Sequence, residues 1–267
     1  MLISHATRTG QFANFWLVAA VLASLGSGPF GCASRPIRPG SSLGISAEEF
    51  RGRVSMLCLS KIVSEFELEE AEAKKARLEE LLTQELRKLD LSVVDSGRVA
   101  ALWDEVKEDR GGYFDIHWGS VIAGRRDSIR EEFYSAAFAR LGCDAMLDMS
   151  IVGVESVFRK GYLRWDHATA PASYTPSPES YWFIGYLPAV SLRISIQDAP
   201  GHEIYYGAGG IHLSATMKKD EHGDFNAEPV SSERYLAFET ENLNALRLAL
   251  RELSIELANL DRPLSSK

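Results

Sequence analysis

The sequence predicts an α/β fold bordering on α+β: one mixed β-sheet packed with helices in a three-layer-like domain. Two patterns predict it. In the first half, short β-prone apolar runs alternate with amphipathic helices, which gives a sheet a parallel portion. In the second half, a period-two run reverses at an Asp-Ala-Pro-Gly turn, adding antiparallel strands. Composition agrees, because 45% hydrophobic and 25% charged residues over 267 positions describe an ordinary globular chain of one or two domains.

The chain opens with an export signal. The segment through Gly10 carries Arg8 and no acid, and Phe12 to Leu25 is nearly all apolar before breaking at Gly26-Ser27-Gly28-Pro29. An apolar run of about 14 residues suits a signal peptide and falls short of the roughly 20 that a spanning helix needs. Gly31-Cys32 stands where a bacterial lipoprotein signal places its lipid-acceptor cysteine, although Pro29 and Phe30 depart from that pattern. The competing reading is ordinary cleavage after Ser34. Residues 26–31 match G-x-G-x-x-G letter for letter, but a dinucleotide fingerprint follows a strand and opens a helix, and this stretch does neither. The predicted organisation is a signal over 1–31, a Pro/Ser/Gly-rich tether over 32–49 and a single domain over 50–262.

Within the domain, residues 53–63 read as a buried first strand and 64–89 as the strongest helix, with Leu78, Leu82, Leu86 and Leu89 on one stripe. Leu91 to Val94 form a second strand. Asp95 or Ser96 caps a helix to about Lys107. A further helix covers about Asp127 to Leu141, with Gly142 as its stop. Ala145 to Val154 is a third strand and Tyr162 to Trp165 another. Loop insertions fall near 108–126 and 156–182. The hairpin pairs 191–197 with a return strand from Glu203 to about Met217. Gly207, Gly209 and Gly210 within that return strand predict a bulge or a close backbone approach. A polar loop over 218–232 leads to a last helix from about Glu239 to Leu260.

Three stretches carry a family resemblance: the "DLSVVDSGRV" strand, Leu141-Gly142-Cys143-Asp144-Ala145 entering a strand, and Leu192 to Asp198 followed by Gly201. In this order they resemble bacterial envelope lipoproteins related to the curli-secretion channel subunit, the TolB amino-terminal domain and lipoprotein activators of cell-wall synthases. The chain is also similar to lipoproteins with a Gly-Gly-Tyr-x-Asp loop, here Gly111 to Asp115. The resemblance implies an α/β domain and an outer-membrane-tethered, palmitate-bearing protein facing the periplasm. Related folds serve different jobs, so it implies little about activity.

The search for chemistry yields no recognisable catalytic motif. A net charge of −8 lacks the basic footprint that nucleic acid requires. His5, His117, His167, His202, His212 and His222 show no His-Glu-x-x-His, and no Cys-x-x-Cys occurs, so neither metal nor cofactor is expected. Cys58 and Cys143 read as small core residues; an oxidising compartment would also permit them to pair. Two loop regions gather aromatics with Gly, Ser and Pro, as binding surfaces do. Tyr113, Phe114, Asp115, Trp118, Trp165, Asp166 and Trp182 are therefore the candidate partner-binding residues, with Cys32 the candidate lipidation site. The expected function is non-enzymatic: a tethered accessory component that binds an envelope protein or a cell-wall component. The alternatives are a secretion-pore subunit, or a periplasmic enzyme with a site assembled from Asp115, His117, Asp166 and His167.

Overall fold

The computed structural model describes residues 41–68, 70–113, 120, 122, 124–159, 162–171, 186–219, 221 and 225–261. The chain divides into two compact units, residues 1–38 with 113–126 and residues 39–112 with 127–267. The second unit carries the sheet.

The strands are β1 (Ser42–Leu43), β2 (Met56–Leu59), β3 (Val63–Ser64), β4 (Ser92–Val94), β5 (Ala145–Arg159), β6 (Tyr162–Trp165), β7 (Ala168–Pro171), β8 (Tyr186–Ala199) and β9 (His202–Leu213). They join one sheet, ordered β1-β9-β8-β5-β2-β4, with β3 and β6 also on β5 and β7 on β6. Pairings of β2 with β4 and β5, and of β3 with β5, are parallel; the β5–β8 and β8–β9 pairings are antiparallel. The predicted mixed sheet is the observed one. A separate ribbon pairs β10 (Ala215–Lys219) with β11 (Phe225–Pro229).

The helices are α1 (Ala47–Arg53), α2 (Ala71–Arg87), α3 (Ser96–Asp109), α4 (Arg125–Ala136, closing in a π turn over Ala137–Leu141), α5 (Glu239–Ala249) and α6 (Arg251–Leu260). Local chemistry starts and stops them. The Ser46 hydroxyl accepts from the Glu49 amide to open α1, and the Asp95 carboxylate accepts from the Arg98 amide to open α3. Gly142, at φ +72, ends the π turn. On α2 the buried stripe is Leu78, Leu81, Leu82 and Leu86. It packs with α5, α6 and one sheet face, where Leu57, Leu147, Met149, Ile151, Leu192, Ile194 and Ile196 form the main core.

Several expectations change. The strand expected over 53–63 is instead the end of α1 followed by β2 and β3. The helix expected from Ser64 begins at Ala71, because residues before it are stitched down: Ser64 exchanges two hydrogen bonds with Phe66, and Glu65 accepts from the Gly153 amide. The loop expected from 169 begins with strand β7, and the polar loop over 218–232 contains most of the β10–β11 ribbon. The single last helix breaks at Leu250, beside the Ala249 carbonyl that accepts a hydrogen bond from the Tyr205 hydroxyl.

Cys58 and Cys143 are joined in a buried disulfide with a Cα–Cα separation of 5.6 Å. It links β2 to the residues entering β5. The adjacent Asp144 carboxylate accepts from the Ser55 amide, the Ser55 hydroxyl and the Met56 amide, each at 2.9 Å. Burial pushes that carboxyl up, and these three bonds overcome it, holding it below its ordinary value.

Candidate functional site

The sheet face opposite the main core carries a polar strip. Side chains alternate across a strand, so registered rows share this face. One row is Asp148, Ser195 and Tyr206; the next is Ser150, Arg193 and Ala208; the third is Val152, Ser191 and Gly210. The strip thus has a charged and hydroxyl-bearing floor where the other face of the same strands is aliphatic.

Helix α4 bounds one end. Arg130 Nη2 donates to the Tyr134 hydroxyl and to Gln197 Oε1, both at 3.2 Å, and lies 3.5 Å from Asp148. The Tyr134 hydroxyl donates to Asp148 at 3.4 Å, and Gln197 Nε2 donates to the same carboxylate at 3.2 Å. Burial, then the charge of Asp148, pushes the Tyr134 phenol up to about 12, so it remains a donor at neutral pH.

The β6–β7 hairpin bounds the other end. Its two-residue turn is Asp166-His167, with φ of +33 and +65, the twist that a tight hairpin requires and that non-glycine residues adopt at a cost. The turn is seated on β9, where the Gly210 amide donates to the Asp166 carbonyl at 2.9 Å. Glycine is needed there, because a Cβ on Gly210 would lie 2.2 Å from Trp165 Nε1. Trp165 Nε1 donates to the Val190 carbonyl at 3.3 Å.

Two charges on this strip have sheltered atoms without hydrogen-bond partners: Arg193 Nε and Asp166 Oδ2; the Ser191 hydroxyl is a third such group. Tyr206 sits within the influence of both charges. Burial raises its phenol most, Arg193 opposes that, and Asp166 and Glu203 add to it. The Ser195 hydroxyl donates to Glu203 at 2.7 Å. Chemically this strip offers phenols that stay protonated, a guanidinium, carboxylates and hydroxyls.

Trp165 is not the exposed partner-binding aromatic expected. It is 7% exposed, packed with Leu163, Leu187, Ala189 and Ala215 in a second small core. Its ring covers Gly210, a strand position without a side chain, which buries more apolar area than solvent exposure would. Asp166 and His167 form the turn between β6 and β7, the histidine exposed. Tyr113 is half-buried, its carbonyl accepting from the Ile122 amide at 2.8 Å. Cys32, Phe114, Asp115, His117, Trp118 and Trp182 lie outside the described residues, and with them any convergence of Asp115 and His117 on the hairpin turn. Among the described residues no group of three His, Cys, Asp or Glu side chains is placed to hold a metal ion. No described helix is long and apolar enough to cross a membrane.

Sequence reasoning missed Arg193, Tyr206, Asp148 and Arg130. The alternation Ser191-Leu192-Arg193-Ile194-Ser195-Ile196-Gln197 did signal a polar face. Only the charged Arg193 among neutral neighbours distinguished that face from one merely solvated.

No family profile matches the chain, and no curated protein matches it. Among solved structures, lipoprotein GNA1162 from Neisseria meningitidis is similar at 13% identity and a TM-score of 0.31, over 77% of this chain and 99% of that one. The overlap is too loose to transfer fold or function.

Proposed function

We propose that this chain is a lipid-anchored, non-enzymatic binding protein of the bacterial envelope, held to the outer membrane through Cys32 and facing the periplasm. The observation that carries the reading is Gly31-Cys32 placed just after an apolar run and its Gly/Pro break, ahead of a tether-like stretch. The Cys58–Cys143 disulfide supports it, since such bonds persist in oxidising compartments and are rare in reducing ones. Two acyl chains on a terminal cysteine give the double hydrophobic signal that stable anchoring takes. Tyr113, Phe114, Asp115, Trp118 and Trp182 are the side chains proposed to meet an envelope protein or wall component, alongside Asp166. Membership of the curli-channel and TolB-like group belongs to this proposal as well.

The pore-subunit alternative has less support. The long strands β5 and β8 are central in the sheet, with one face filled by core, whereas a lipid-facing strand turns its apolar side chains outward to the bilayer.

The test is the intact mass of protein purified from the membrane fraction, compared with Cys32→Ser. A chain beginning at Cys32 with added acyl groups, absent from the variant, is the expected result. An unmodified chain beginning at Arg35 would overturn the anchor and the outer-membrane placement.

A further inference from the structure

We infer that the domain rests on the bilayer surface through the end of its sheet formed by β6, β7 and the tail of β5, with Val157, Tyr162 and Phe238 at the level of the lipid headgroups. The inference rests on the anchor proposed above and adds the face that meets lipid.

Three observations lead there. First, β5 runs past the main core. Its core-facing side chains Leu147, Met149 and Ile151 are buried, but beyond Gly153 the same face continues with Glu155 and Val157, both exposed. Register sets Arg164 beside Val157 and Tyr162 opposite Pro171, all exposed, while the reverse face holds Leu163, Trp165 and Leu187 in the second small core. Val157 is 46% exposed and Tyr162 49%. Phe238, also 46% exposed, opens α5 at the same end of the sheet, because α5 runs antiparallel to β9, with Ala249 over Gly207 and Ala245 over Gly209. Large apolar side chains left exposed together mark an interaction surface. Second, the polar groups among them suit headgroups. Tyrosine favours membrane–water interfaces, where its ring and hydroxyl are both satisfied. Arg164 stands beside Val157, and the Arg234 guanidinium lies over the Phe238 ring, so cationic heads meet phosphates while their stems cover apolar surface. Glu155 on the same face meets the ammonium of a zwitterionic lipid and keeps the face out of the hydrocarbon.

Third, the anchor points this way. Strand β1 is antiparallel to β9, with Leu43 opposite Tyr205 and Ser42 opposite Tyr206, so the chain entering β1 comes from the side of the β6–β7 end. Ser42 is in the row of Tyr206, Ser195 and Asp148, and Val157 lies nine positions further along β5, about 30 Å at the rise of a strand. Cys32 precedes Ser42 by ten positions, and ten residues span at most about 34 Å. With the chain arriving from that side, its greatest reach nearly equals the distance to the end of the sheet. Acyl groups on Cys32 then hold Val157 and Tyr162 at the bilayer surface.

The test is hydroxyl-radical footprinting of the full acylated chain on vesicles of phosphatidylethanolamine with phosphatidylglycerol as the minor lipid, against Cys32→Ser free in solution. Ile255 is the internal reference, being 43% exposed on α6, which Arg51 and Asp261 tie to α1 away from the β6–β7 end. Labelling of Tyr162 and Phe238 is expected to fall severalfold on vesicles while that of Ile255 holds. The Val157→Asp, Tyr162→Asp double variant, altered only at exposed positions, is expected to melt and float with vesicles as wild type does, with labelling of Phe238 restored. An acylated chain that floats yet has Tyr162 labelled as fast as in solution overturns the inference and leaves the anchor standing. So does equal protection of Ile255, or Phe238 still protected in the folded double variant. A chain that neither carries acyl groups nor floats overturns both readings. Protection of Tyr162 that appears without vesicles as protein concentration rises assigns the face to a second copy, and protection that requires added envelope proteins assigns it to a protein partner; either result overturns the inference.

Discussion

Asp144 shows how one side chain sets a strand's beginning. Its carboxylate gathers three donors from Ser55 and Met56 where β2 starts beside β5. Asp144→Ala leaves those donors to water at a partly exposed site, and a loss of about 1–2 kcal/mol in a urea melt is expected, with Asp144→Asn between it and wild type. His212 makes a second residue-scale case. Its Nδ1 bonds the Leu213 carbonyl at 2.9 Å, its ring lies 5.1 Å from that of Tyr235, and its Nε2 is buried without a partner. Burial is the main cause of its lowered pKa; the nearby Arg234 adds to it, while the Leu213 carbonyl and Glu241 oppose it. The unfolded chain therefore binds the proton at higher pH than the folded one. Stability contributed by neutral His212 is present above about pH 6.5 and is lost as pH falls from there toward the folded value. His212→Phe, which keeps a ring against Tyr235, is expected to flatten the decline in melting temperature between pH 7 and pH 5. An unchanged pH slope in the variant would reject this assignment.

At the scale of elements, the union of α5 with β9 depends on missing side chains. A Cβ on Gly207 would lie 1.8 Å from the Ala249 carbonyl oxygen, and one on Gly209 would lie 1.9 Å from that of Ala245. The helix backbone thus rests directly on the strand, and Gly209→Ala must lift it, at a cost of about 3 kcal/mol or more seen in thermal unfolding. The glycines were legible in sequence as a close approach; the partner was not, because nothing local to residues 207–210 specifies a helix nearly forty positions later. Helix α3 and strand β4 were read to within a few residues, since their caps and apolar runs are local. The β10–β11 ribbon was missed for the opposite reason. Its strand Phe225–Pro229 (FNAEP) has no apolar alternation, and its pairing is made by the partner strand. Trp165 was read as exposed because its loop-like surroundings were legible and its pocket over Gly210 was not.

For the molecule as a whole, the disulfide closes a loop across 85 positions that contains β4 and helices α2 and α3 as well as α4. Closing a loop of that size removes unfolded-chain entropy worth roughly 4.5 kcal/mol in the chain-entropy account. The Cys58→Ala, Cys143→Ala double variant is expected to lose about 2–4 kcal/mol, and reductant is expected to destabilise wild type but not the variant. Equal melts of both proteins with and without reductant would show the bond adds nothing. The mixed topology was legible because helix and strand periodicities changed between the halves. The polar strip was not, because it exists only once β5, β8 and β9 are set in register.

Strand β1 gives the molecule a mechanical property. Its two residues pair with Tyr205 and Tyr206, and the Gly44 amide adds one bond to the Ile204 carbonyl. Any pull arriving from the residues before Ser41 meets this short seam first. A pull directed across the strands breaks its bonds one after another, as a zip opens, whereas a pull along them loads all of them together. The seam would yield in the first case while the cross-linked body behind it kept its shape. Peeling it would free only a few residues and uncover the edge of β9 beside Tyr206. Tension would then change which strand edge this domain offers.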